Sequence, residues 1–264
     1  MAAEAGIPSL FVETNGFWCT DEKTTCQRLL ELKSLGLKGI LISVNPFYLE
    51  YVPFARTRRA VTIAVEIFGP DVIVYQMEYY RRFLRLGIEG TLPLAEYLRR
   101  EGVTDFLHGA EFFLMGGAIY RLAAKGLLPF VRRPARAFLA GGCRPPFLRA
   151  WHNHFDNYGR FLPGYCAGLS LGDYRELPHL LRRPLTEEET PILWYLARED
   201  LVGLFRFAVK LGYKEDGAGY FSRCHLCLEI RRFLARTGRF AELGPPEFYA
   251  RLEAEVSDER EGRL

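Results

Sequence analysis

Long apolar runs are missing from this chain of 264 residues. No stretch reaches the ~18 consecutive apolar residues that a membrane-spanning helix needs. The opening "MAAEAGIPSLFVET" lacks the basic-then-apolar layout of a secretory signal peptide. An excess of one charge is missing too: 35 Lys and Arg face 32 Asp and Glu, a net charge of +3, and no long basic run occurs. The arginines are spread along helix-like segments, so solvated helix faces are expected and a nucleic-acid partner is not. There is no internal repeat and no low-complexity tract, which argues against a solenoid or a disordered chain. The expected compartment is therefore cytoplasmic and reducing, where the six cysteines read as ligands or buried thiols rather than disulfides.

What is present is ordinary for a globular protein: 49% hydrophobic and 25% charged residues, enough for one large or two small domains with a real core. The N-terminal third alternates between strand and helix patterns. "SLFVET" (Ser9–Thr14) reads as a buried strand. Asp21–Gly36 reads as a helix, with Thr20 as N-cap, Asp21 and Glu22 at its positive end, and Cys26, Leu29 and Leu32 turned to a sheet. Lys38–Asn45 is a second strand. Ala55–Gly69 is a helix presenting Ala60, Ile63, Ala64 and Ile67, and Asp71–Gln76 is a third strand. Strand and helix in alternation with short links predict parallel strands joined by right-handed crossovers, an α/β arrangement.

The middle and C-terminal parts differ. Glu78–Leu86, Leu94–Glu101 and Glu111–Lys125 read as helices. From "RAFLAGGC" onward, glycine, proline and aromatics increase. "HNHFDNYGRFLPGYCAGLSLGD" (His152–Asp173) carries turn chemistry at Asp156–Gly159 and Pro163–Gly164, so a hairpin is expected. Thr186–Lys210 and Arg223–Arg236 read as helices, and the charged tail is expected to fray.

Four cysteines lie in the C-terminal half. Cys143 follows a Gly-Gly pair, Cys166 follows a Pro-Gly turn, and Cys224 and Cys227 fall in the first turns of a helix capped by Ser222. Outward amides and the dipole at a helix start stabilise thiolates. Four thiolates from a hairpin and a helix start can close on zinc or on a 4Fe–4S cluster, and spacing does not choose between them, or between a metal site and unconnected thiols. Cys19 and Cys26, in the strand–helix unit, read as small core residues. His152 and His154 fall on one side of a strand and could be ligands or acid–base groups, with ordinary loop hydrogen bonding the simpler reading. His225, between two candidate ligands, is expected to point away from any metal.

Taken together, "ETNGFWC" on a strand and "ILISVNPFYLEYVPFARTRRAVTIAVEIFG" on the next strand and helix resemble the middle of the radical S-adenosylmethionine barrel. In that family the third strand commonly ends in Thr-Asn-Gly, here Thr14-Asn15-Gly16. The fourth commonly ends in Ser-x-Asp or a relative, here Ser43-Val44-Asn45. The later "C…HFDNYGRFLPGYCAGLSLGD…SRCHLC" is similar to C-terminal auxiliary-cluster domains of the SPASM and twitch type. The resemblance implies an incomplete β/α barrel over residues 1–90, a helical connector over 91–140, an α+β cysteine-rich domain over 141–253 that holds an auxiliary 4Fe–4S cluster, and a charged tail over 254–264. It implies Cys143, Cys166, Cys224 and Cys227 as cluster ligands, and Asn15, Ser43 and Asn45 as lining part of the S-adenosylmethionine pocket at strand ends. Ligation by all four cysteines implies electron relay or structural support, whereas an iron left open could hold substrate.

One departure is decisive for activity. The family's C-x-x-x-C-x-x-C loop, which binds the cluster that cleaves S-adenosylmethionine, occurs nowhere in this sequence, and the Gly-Gly-Glu segment after the second strand is missing too. The expectation is a C-terminal portion of such an enzyme, inactive by itself. A separate chain supplying the missing half, or a non-catalytic iron–sulfur or zinc module working with a partner chain, is the alternative.

Overall fold

The computed structural model of the chain describes residues 3–102, 131–142, 154–164 and 166–261. These fall into two units, 1–109 and 110–264, so the division lies inside the stretch expected as a connector.

In the first unit, β-branched and aliphatic residues build three short parallel strands: β1 (Phe11–Thr14), β2 (Gly39–Ser43) and β3 (Val72–Tyr75). Their order is β1-β2-β3, with Val12 beside Ile40 and Ile40 beside Val72. The crossovers are α1 (Glu22–Ser34) and α3 (Phe54–Phe68), which pack on each other, and α3 also packs on β2 and β3. Between β2 and α3 lies the single-turn α2 (Pro46–Leu49). The α1 cap is Asp21, one residue later than expected: its carboxylate accepts the Thr24 N–H at 2.8 Å, which Thr20 does not do. On α3 the buried stripe runs Thr57, Ala60, Ile63, Ala64 and Phe68, so Phe68 takes the inner position expected of Ile67.

After β3 come α4 (Met77–Arg85) and α5 (Leu94–Glu101). Their aromatic residues make a satellite core: Phe83 meets Phe54 edge-on at 5.3 Å and Tyr97 edge-on at 5.6 Å. The two faces of the sheet differ. Ile40 and Ile42 are buried, whereas Phe11 is 64% and Ile73 57% exposed on the opposite face. Parallel sheets are normally covered on both faces. This one is covered on one, and β1 is an edge strand, as the sequence led us to expect. The sheet does not close on itself among the described residues.

In the second unit the predicted hairpin is extended to an antiparallel meander: β4 (His154–Phe155), β5 (Arg160–Leu162) and β6 (Gly172–Asp173). Asp156 forms its turn, accepting the N–H groups of Tyr158 at 2.9 Å and Arg160 at 2.8 Å. Helices follow: α6 (Leu177–Leu180), α7 (Pro191–Ala197), α8 (Leu201–Lys210), α9 (Arg223–Ala235) and α10 (Pro246–Glu261). The long helix expected over Thr186–Lys210 is broken. Glu199 adopts the left-handed conformation, and Asp200 starts α8 afresh by accepting the Gly203 N–H at 2.7 Å. Leu226, Leu228, Ile230 and Leu234 of α9 are fully buried and make this helix the centre of the unit. The helix expected over Glu111–Lys125 lies outside the described residues.

Candidate functional site

Helix α9 organises the cysteine-bearing region. Ser222 caps it, accepting the His225 N–H at 3.1 Å, so Cys224 and Cys227 stand in its first two turns as expected. Residues three and four apart share a helix face, which puts Cys224, Cys227 and Arg231 on one side. Arg231 is 3% exposed. Its guanidinium donates to the Ala167 carbonyl at 2.6 Å and to the Cys227 sulfur. Ala167 follows Cys166 directly, so this arginine ties the turn that carries Cys166 to the helix that carries Cys227. Burial works to lower the Arg231 pKa, but Tyr249, Cys227 and Cys166 beside it raise it by more, and it stays charged. Tyr249 of α10 closes the site: its hydroxyl donates to the Gly168 carbonyl at 2.6 Å, and its pKa is pushed up to about 12 by burial, against the opposing pull of Arg231. Gly168 has φ +79°, and a Cβ there would collide with the Phe248 ring and the Tyr249 hydroxyl. Only glycine lets this turn press against α10.

A second arginine holds another approach to the helix. Arg223, just before Cys224, donates to the carbonyls of Phe138 at 3.1 Å and Gly142 at 2.7 Å, and also to Ala140. A two-sided backbone bridge between Arg133 and Tyr220 lays the same segment alongside the residues that lead into α9. Gly141 has φ +92°, and a Cβ on it would meet the Arg223 guanidinium, which gives the Gly-Gly pair a packing reason. Cys143 itself lies outside the described residues, as does His152.

Cys166 and Cys227 are thus brought to one buried guanidinium, and Cys224 lies a turn away on the same helix face; all three are half-buried and in the thiol form rather than in disulfides. Among the described residues, no three His, Cys, Asp or Glu side chains are close enough together to hold a metal ion. The thiols, the buried arginine and the orphaned Arg231 Nε, which has no hydrogen-bond partner, still suit an anionic group. His225 stands apart from the cysteines: its Nδ1 accepts the Phe221 N–H at 3.1 Å, its ring stacks on Phe221, and burial lowers its pKa to about 4, so it is neutral. In the first unit, Cys19 is fully buried and burial raises its thiol pKa, fitting its reading as a core residue, whereas Cys26 is only half-buried.

Asn15, Ser43 and Asn45 lie at the carboxyl ends of β1 and β2, the side where parallel sheets gather ligands. Their side chains already have local partners. Asn15 Oδ1 accepts the Phe17 N–H at 3.1 Å, and Asn45 Oδ1 caps α2 by accepting the Tyr48 N–H at 3.0 Å. Ser43 donates to Glu13 at 2.7 Å, joining the two strands. The loop after β1 is pinned by α3, whose Arg56 donates to the Phe17 carbonyl at 2.8 Å and Arg59 to that of Cys19 at 2.7 Å.

Sequence reasoning passed over three residues here. Arg223 and Arg231 carried a signal, since one adjoins Cys224 and the other follows Cys227 by four residues on the cysteine face. Gln76 carried none: it ends β3 in the left-handed conformation at φ 63°, with its side-chain oxygen buried and unpartnered. Comparison with protein-family models, with curated proteins and with solved structures finds no match to this chain.

Proposed function

We propose that this chain is the C-terminal portion of a radical S-adenosylmethionine enzyme. Its first unit is a segment of the β/α barrel and contributes Asn15, Ser43 and Asn45 to the S-adenosylmethionine pocket. Its second unit holds an auxiliary 4Fe–4S cluster on Cys143, Cys166, Cys224 and Cys227. The observation that carries this reading is the use of α9: the helix bears Cys224 and Cys227, while Arg231 grips the residue after Cys166 and Arg223 grips the residue before Cys143. Two buried or half-buried arginines spent on backbone carbonyls beside cysteines support a site that needs those cysteines near each other. When bound, the cluster supplies one-electron transfer; the chain's own part is to gather thiolates, exclude water and hold compensating charge. In the first unit, a parallel sheet with helices on one face only, and an unpaired β1 edge, supports the barrel reading.

Anaerobic reconstitution of the purified chain with ferrous iron and sulfide tests the cluster. About one cluster per chain is the expected result, and it should be lost in Cys224→Ala and Cys227→Ala. Zinc bound without sulfide would replace this reading with that of a zinc module. Because the sequence has no C-x-x-x-C-x-x-C loop, the reduced chain alone is expected to form no 5′-deoxyadenosine from S-adenosylmethionine. Supplying the N-terminal half of the barrel, fused or as a second chain, should restore that product. Product from the chain alone would refute the assignment of roles.

The exposed Phe11 and Ile73 on the open sheet face favour a second reading as well, in which the chain is a non-catalytic iron–sulfur module that acts with a partner chain covering that face. A complementing chain that binds tightly without restoring S-adenosylmethionine cleavage would select it.

A further inference from the structure

Buried arginines are normally paired with carboxylates, because an uncompensated charge in the interior is costly. Arg231 is 3% exposed and has no carboxylate partner among the described residues. The nearby acids of α9 and α10 are engaged elsewhere: Glu229 binds Arg232, and Glu253 binds Arg232 and Arg236. The groups that do face Arg231 are the Cys227 and Cys166 sulfurs, the Tyr249 phenol and the Ala167 carbonyl. Its Nε has no partner at all. Neutral thiols and a phenol do not offset a full cation.

We infer that Arg231 is the built-in countercharge of an anionic, thiolate-ligated cluster at Cys166, Cys224 and Cys227, and that it holds the cluster's reduction potential up. This rests on the cluster reading above. A cluster with cysteine thiolates on its irons carries net negative charge, and reduction adds another electron. A fixed cation in a water-poor site stabilises the reduced form more than the oxidised one, and net charge and hydrogen bonds to sulfur set cluster potentials. Arginine suits the role because it cannot shed its proton when buried, and its fork can reach a sulfur and a carbonyl together.

The test uses the full chain, reconstituted anaerobically, as wild type, Arg231→Met, Arg231→Gln and Arg231→Lys. Iron and sulfide content, the midpoint potential from a mediated titration followed by electron paramagnetic resonance, and the rate of iron loss to a chelator are read for each. All four are expected to load. The Met and Gln variants should show a more negative potential and at least tenfold faster iron loss, and Lys should recover most of both. Gln keeps a donor toward Ala167 and decides the matter if the Met variant does not fold. A wild type that takes up no iron and sulfide brings down the cluster reading. A wild type that loads, with Met or Gln variants matching it in potential and iron loss, overturns the role of Arg231 and leaves the cluster reading standing.

Discussion

Glu242 shows how one residue can couple the second unit to pH. Its side chain is almost fully buried and accepts the Ile192 N–H at 3.1 Å at the start of α7, while its backbone carbonyl accepts the Ser170 N–H at 2.8 Å. Burial raises its pKa above the ordinary 4.5, despite these hydrogen bonds and the pull of Arg183. The folded state therefore keeps its proton at a pH where the unfolded chain has lost it. The stabilising contribution is complete below about 4.5 and is lost as pH rises through the raised value. Glu242→Gln keeps an oxygen for Ile192 and removes the titration. Urea midpoints of the two proteins should match near pH 4 and separate in favour of the variant as pH rises to 7; parallel curves would contradict the burial argument. Gln76 makes the second case at this scale. A left-handed non-glycine residue costs about 1–2 kcal/mol, and here a buried oxygen lacks a partner as well. Gln76→Gly is expected to gain about 1 kcal/mol in chemical denaturation. A loss would mean that the side chain holds something at the end of β3 that the backbone argument leaves out.

At the scale of elements, α9 is the piece on which the proposed centre depends. Its N-terminus must stay wound for Cys224 and Cys227 to stand in consecutive turns, and Ser222 supplies the one side-chain cap. Ser222→Ala is expected to cost about 1 kcal/mol. Its effect should be local as well: amide exchange at Cys224–Cys227 should quicken more than at Ile230–Leu234, whose side chains fill the core. Uniform change along the helix would show that the cap stabilises the unit without defining the cysteine turn. The break between α7 and α8 is also an element-scale event. The residues of Thr186–Lys210 are good helix formers throughout, and what ends α7 is the left-handed Glu199 followed by a fresh cap at Asp200.

At the scale of the whole molecule, the open face of the parallel sheet in the first unit has the clearest consequence. Phe11 and Ile73 lie on that face, and β1 leaves one edge unpaired among the described residues. Such surfaces drive association. The isolated chain is expected to self-associate, and the double variant Phe11→Lys/Ile73→Lys should weaken this. Losing two partly buried apolar side chains is worth roughly 3 kcal/mol, about a hundredfold in the association constant. Sedimentation across a concentration series would read this; equal association in both proteins would place the contact elsewhere. The same variant should also lose binding to a complementing N-terminal half, since that half would cover the same face.

The order of strands and helices in the first unit could be read from the sequence because each short apolar run and each helical stripe is a local pattern, fixed by side-chain periodicity within a few residues. Caps and turns at Asp156, Ser222 and Gly36 were readable for the same reason, although Asp21 took the capping role from Thr20 because its carboxylate meets the free amide of Thr24. The cysteines as a set were visible in spacing. What no local pattern contained was which of them face the same charge. That depends on Arg231 reaching across 64 residues to Ala167 and on Arg223 reaching across 81 to Gly142. Nor could the uncovered sheet face be read, because a strand's sequence gives its two faces but not what lies over them. Local chemistry chose the elements; long-range packing decided which side chains share a buried space and which face is left open.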